Sequence, residues 1–116
     1  MNNKIREILE RRKTILMDHI ELDKKCLNDP FLCQFMEGRV ESEMAWLEEI
    51  TKILTSVLES DAIMKVLQNR RAILRTFIAD AKTHFKDTDG QKTRGKTAIN
   101  THWLEETETL INLLDK

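Results

Sequence analysis

Residues 61–77 read DAIMKVLQNRRAILRTF. Turned by 100° per residue, Ile63, Val66, Leu67, Ile73, Leu74 and Phe77 fall on one face, with polar residues between them. That pattern predicts an amphipathic helix over 61–86, using Ala81 and Phe85 as well. Ser60 and Asp61 supply an N-cap and an acidic first turn at its start. Thr88-Asp89-Gly90 supplies turn chemistry at its end.

Upstream, a second stripe runs through Met36, Val40, Leu47, Ile50, Ile53, Leu54, Val57 and Leu58, giving a helix over about 30–59. No Gly or Pro separates it from the next helix, but the apolar direction jumps by well over 90° near Ser60. One straight helix would not point both stripes at one core, so a break is expected there. A third stripe, with Ile5, Ile8, Leu9, Ile15, Leu16, Leu22 and Cys26, gives a helix over about 3–27. Asn28-Asp29-Pro30 stops it: Asp29 is a good N-cap for the second helix, and Pro30 suits a first helical position. Downstream, Ile99, Trp103, Leu110, Ile111 and Leu114 give a helix over about 97–115. Short connections favour antiparallel neighbours. The expected fold is therefore all-α, a four-helix up-down-up-down bundle in a single domain spanning 1–116. No internal repeat and no low-complexity tract are read from the chain.

Composition agrees: 34% of the 116 residues are charged and 41% apolar, with one Pro, three Gly and no Tyr. No apolar run approaches the length of a membrane span. The opening residues enter the amphipathic pattern without the apolar core of a signal peptide, so a cytoplasmic protein is expected. The net charge of −1 hides a split. Residues 1–64 hold 9 basic and 13 acidic residues, whereas residues 65–96 hold 9 basic and 3 acidic. A basic segment of this kind suits an anionic partner.

That segment contains a stripe. Arg71, Arg75, Lys82 and Lys86 lie within about 60° of arc on one helix face, well away from the apolar side. Lys92, Arg94 and Lys96 come next, in a polar, Gly-containing stretch that reads as a loop. Together the seven form a candidate anion- or partner-binding set. No aromatic side chain is interleaved with them to stack bases.

Residues 90–97 match the P-loop pattern G-x-x-x-x-G-K-[ST] letter for letter. The pattern needs a strand before the loop and a parallel sheet around it, and neither is expected here. A basic loop feeding a helix N-terminus remains, as a weaker anion site.

Charged residues also interrupt the apolar stripes. Folding the first two helices as a hairpin about 28–30 brings Glu43 level with Ile15, between Arg12 and His19. An Arg12–Glu43–His19 cluster is expected, with Arg70 as a further polar member of the core. Arg12 and His19 also fit, by count, the Arg-x4–6-His pattern of the HEPN ribonucleases. The match covers two residues, and Lys13 stands where that family has a polar residue after its Arg. It assigns no family. A carboxylate-bridged metal site would need Glu-x-x-His pairs, and no His has a Glu three residues before it.

Cys26 and Cys33 should lie nearly level across the hairpin, as small apolar fillers or a redox latch. Met17 and Met44 fall off the core stripe, where they can serve self-association or a partner. The functional expectation is a non-enzymatic adaptor, regulator or accessory subunit binding a protein, without cofactor or metal. Nucleic-acid binding on the basic stripe is the alternative. A homodimer is compatible with both.

Overall fold

The structure, a computed structural model, describes residues 3–56, 59–84 and 90–115. Helix α1 spans Asn3–Lys25 and ends in a 3-10 turn, Cys26–Asn28. Helix α2 spans Cys33–Thr55, α3 Ser60–His84 and α4 Gly90–Leu114. The chain is the expected all-α, antiparallel four-helix bundle.

Two of the three junctions between helices obey local chemistry. The Asp29 carboxylate accepts hydrogen bonds from the backbone N–H of Phe31 at 2.8 Å and of Leu32 at 3.3 Å. These bonds close the turn over residues 30–32; α2 itself begins at Cys33, later than the expected start at Pro30, and its N-cap residue Leu32 makes no side-chain cap hydrogen bond. Ser56 is extended (φ −92°, ψ 142°) and closes α2, so α2 and α3 are separate helices.

The start of α4 differs from expectation. Gly90 and the basic residues after it form the first two turns of α4 rather than a loop. The reason lies in how α4 meets α2. A methyl group on Gly95 would overlap the Phe35 carbonyl and lie 2.9 Å from the Arg39 backbone nitrogen. A methyl on Gly38 would overlap the Lys92 carbonyl and lie 3.1 Å from the Lys96 nitrogen. The two helices cross backbone to backbone, which only glycine permits on both sides. A helical glycine costs about 1 kcal/mol in propensity, and tertiary packing outweighs it here.

That crossing shapes the molecule. The most extensive helix contact is between the parallel pair α2 and α4, while α1 packs chiefly on α2 and α3 chiefly on α4. The bundle is flattened accordingly, 44 × 30 × 17 Å. Its core joins Ile5, Leu9 and Leu16 of α1, Ile63, Leu67 and Leu74 of α3, and Trp46, Ile50, Trp103 and Leu110 of the central pair. Burying each of these is worth roughly 1.5–3 kcal/mol.

The same packing reveals an internal repeat, which corrects the reading that there is none. Residues 58 apart in α1 and α3 match: Ile5 with Ile63, Leu9 with Leu67, Arg12 with Arg70, Ile15 with Ile73, Leu16 with Leu74 and Ile20 with Ile78. Residues 57 apart in α2 and α4 match as well: Gly38 with Gly95, and Trp46-Leu47-Glu48-Glu49 with Trp103-Leu104-Glu105-Glu106. Burial repeats too. Leu16 and Leu74 are each 2% exposed, and Trp46 and Trp103 are 4% and 3%. The bundle is one helical hairpin used twice, related by a pseudo-twofold axis between α2 and α4.

Candidate functional site

At the centre, Trp46 and Trp103 stack with centroids 5.7 Å apart and planes 11° from parallel. Arg12 caps the outer face of Trp46 at 4.9 Å, and Arg70 caps Trp103 at 4.4 Å. Each arginine is held by a carboxylate from the opposite hairpin. Arg12 Nε and Nη2 donate to Glu106 Oε1 and Oε2 at 3.0 and 2.8 Å. Arg70 Nε donates to Glu49 Oε1 at 2.9 Å. The pseudo-twofold exchanges the two arrangements. It also corrects the expected pairing: Arg12 binds Glu106 rather than Glu43, because α4 reaches α1 across the seam that the α1–α2 hairpin alone would leave to Glu43.

Beside this column lie two equivalent clefts. The first, of about 130 Å³, is lined by Arg12, Leu16 and His19 of α1, Arg39, Glu43 and Trp46 of α2, and Ile99 and His102 of α4. Shifted by 57 or 58, every one of these positions lines the second cleft, of about 200 Å³: Arg70, Leu74, Phe77, Lys96, Asn100, Trp103, Ser42 and Ala45. Arg12, His19 and Glu43 therefore share one cleft, although they do not pair as expected. Arg70 belongs to its mate.

Glu43 is the anomaly. It is 1% exposed, and no neighbouring residue donates a hydrogen bond to either carboxylate oxygen. Its carboxyl is pushed up to about 8, chiefly by burial, then by the neighbouring Asp23 carboxyl, with Arg39 opposing. An ionised carboxylate without donors is costly in such a place. The neighbouring Asp23 carboxyl favours the protonated form of Glu43. Asp23 accepts from Arg39 Nε at 3.2 Å. Asp23, Arg39 and Glu106 were missed from the sequence. Asp23 sits one turn after His19 on the same helix face, which was a usable signal.

The basic set divides. Lys92 pairs with Glu41 at 2.9 Å and Glu37 at 3.5 Å, and Lys96 pairs with Glu41 at 3.1 Å. Hydrogen bonds from Lys92 and then Lys96 hold the Glu41 carboxyl below its ordinary value. These two lysines point along the Trp103 direction of α4, whereas Arg94 lies on the opposite side of the helix. Arg75 is exposed and reaches Glu108 at 3.4 Å. Arg71 is half-buried and Lys82 exposed. Lys86 lies outside the described residues. The six described cations of the set do not form one patch.

A third feature is a groove between α1 and α2, on the other side of their seam. Met17, Ile20, Met44 and Leu47 form its floor, with Asp18, Glu21 and Lys24 along its rim. Cys26 and Cys33 are free. Among the described residues, no three His, Cys, Asp or Glu side chains come together as a metal-ligand set. Nor is any helix among them long and apolar enough to cross a membrane. No family model, no curated protein and no solved structure matches the chain.

Proposed function

We propose that this chain is a non-enzymatic interaction module that holds an amphipathic, basic helix of a partner protein in the α1–α2 groove. One observation carries the reading. Of the six exposed large apolar side chains among the described residues, five lie on the α1–α2 hairpin: Met17, Leu22, Phe31, Leu32 and Met44. Met17 and Met44 belong to a single groove of about 360 Å³. Methionine floors suit helix recognition, because the flexible thioether adapts to whatever apolar side chain enters.

The rim argues for the partner's charge. Among the described residues, neither Asp18 nor Glu21 has an ion-pair partner, unlike most acids of α1 and α2. Lysines or arginines beside the apolar anchors of an incoming helix would neutralise them. A second copy of this chain fits less well. Its basic face, Arg71, Arg75 and Lys82, carries no large apolar anchor, and its exposed Ile73 lies about 160° round the helix from Arg75. The nucleic-acid alternative rests on that same face, where Arg75 is already engaged by Glu108.

The test uses methyl NMR of the five methionines with a synthetic helix of about 18 residues, leucine-faced and flanked by lysines. The Met17 and Met44 methyl signals should move on binding, while those of the buried Met36 and half-buried Met64 stay. Met44→Asp should abolish the shifts, and the lysines replaced by glutamates should weaken binding at least tenfold. Unmoved Met17 and Met44 signals would overturn the groove reading.

A further inference from the structure

The two clefts are an internal control. Their frames are the same: Arg12 and Arg70 are each 27% exposed at the side chain, each stacked on a tryptophan and each bound by a glutamate of the other hairpin. Leu16 and Leu74 are buried alike. The contents differ. Where the second cleft has Phe77, Asn100 and Ala45, the first has His19, Glu43 and His102. Behind Glu43 stands Asp23, and the equivalent position behind Asn100 is Ala81. The second cleft, which also holds the Glu41–Lys96 pair, forms with Phe77, Asn100 and Ala45 at these positions, so the hairpin frame does not call for His19, Glu43 and His102.

Glu43 is expensive where it sits. It is buried, it lines the cleft, and among the described residues neither carboxylate oxygen has a hydrogen-bond partner. The charges around it are otherwise balanced. Arg12 is matched by Glu106 and Arg39 by Asp23, so an ionised Glu43 leaves one negative charge over.

We propose that the first cleft is a binding site for one small primary ammonium group, held on the Glu43 carboxylate. A single positive charge neutralises the cluster. His19 and His102 stand at the exposed rim of the cleft, where a ring nitrogen can accept from ammonium N–H, although His102 Nδ1 lies 3.9 Å from Glu105 Oε2. A quaternary ammonium is disfavoured, because both faces of Trp46 are already covered, by Arg12 and Trp103. At ~30 Å³ per water-sized group, the cleft has room for an ammonium on a short alkyl chain. An anion would meet Glu43 itself, and a nucleotide is too large. The site is separate from the α1–α2 groove, and either can fail without the other.

The test is titration calorimetry with n-propylammonium, with tetramethylammonium as control. Because the ammonium displaces the Glu43 proton, affinity should rise roughly tenfold per pH unit between about pH 6 and 8 and level off above. Near pH 6.5 the heat should report one proton released per ammonium bound, read from buffers of different ionisation enthalpy. Glu43→Asn reproduces the residue already accommodated at position 100, so it should fold and lose binding. No binding of n-propylammonium, a pH-independent affinity, or undiminished binding in Glu43→Asn would each overturn the proposal. Equal binding of tetramethylammonium would overturn the assignment to a primary ammonium.

Discussion

Glu43 shows how much one residue's meaning depends on its neighbours. Levelling α1 against α2 places Arg12, His19 and Glu43 together, and they do line one cleft. Which of them pair is not legible, because Glu106 arrives from a helix that the hairpin argument does not contain. The consequence for stability reverses. Removing a salt-bridged Glu43 would orphan a buried cation, but Arg12 is already held by Glu106. The raised Glu43 carboxyl instead sets a pH dependence. Between its ordinary value of 4.5 and about 8, the folded chain binds a proton that the unfolded chain does not. The group's contribution is therefore fully present below about 4.5 and is lost as pH rises through 8. The Glu43→Gln variant keeps the shape without the charge. Relative to this variant, the wild type should lose on the order of several kcal/mol between pH 5 and 9. Urea denaturation of both proteins across that range checks it; parallel curves would refute the assignment.

At the scale of elements, the helices were legible and one boundary was not. The apolar stripes locate all four helices, and Asp29-Pro30 marks the first turn through turn chemistry that is local by nature. Gly90 and Gly95 carry the opposite lesson. Read locally, they announce a loop. Their actual role is set by α2, whose Gly38 they cannot anticipate. This predicts an unusual response to a common stabilising substitution. A helical Gly→Ala change normally gains about 1 kcal/mol. Here Gly38→Ala or Gly95→Ala must push α2 and α4 apart, an overpacking penalty of roughly 1–3 kcal/mol or more, so each should lower the melting temperature. The two changes share one crossing, so the double variant should lose less than the sum of the singles. Thermal melts recorded by circular dichroism decide it, and a rise in melting temperature for either single variant would contradict the close crossing.

At the scale of the molecule, the bundle is a hairpin repeated around the Arg12–Trp46–Trp103–Arg70 column. The repeat was written in the sequence as two copies of Trp-Leu-Glu-Glu, each preceded eight residues earlier by a glycine. It escaped a reading by stripes because stripes record only which positions are apolar, and all four helices have those. The offsets of 58 and 57 also differ by one, so no single shift aligns both halves. Once the halves are superposed, their differences become informative. The charge split respects the same division. The Met17, Met44, Asp18 and Glu21 positions of the acidic groove correspond to Arg75, Thr101, Thr76 and Ala79 in the second half. One frame therefore presents an acidic, methionine-floored face on one hairpin and a basic face on the other. It carries the unpartnered Glu43 in one cleft and the ion-paired Glu41 in the other.

The central claim is that the frame is common and the titratable contents of the first cleft are surplus to it. The most direct test is the thermal stability at pH 8 of a variant that makes the first cleft like the second, His19→Phe, Glu43→Asn and His102→Ala together. It should fold to the same bundle and melt at or above the wild-type temperature. A variant that fails to fold, or melts well below the wild type, would contradict the claim and make those side chains part of the fold.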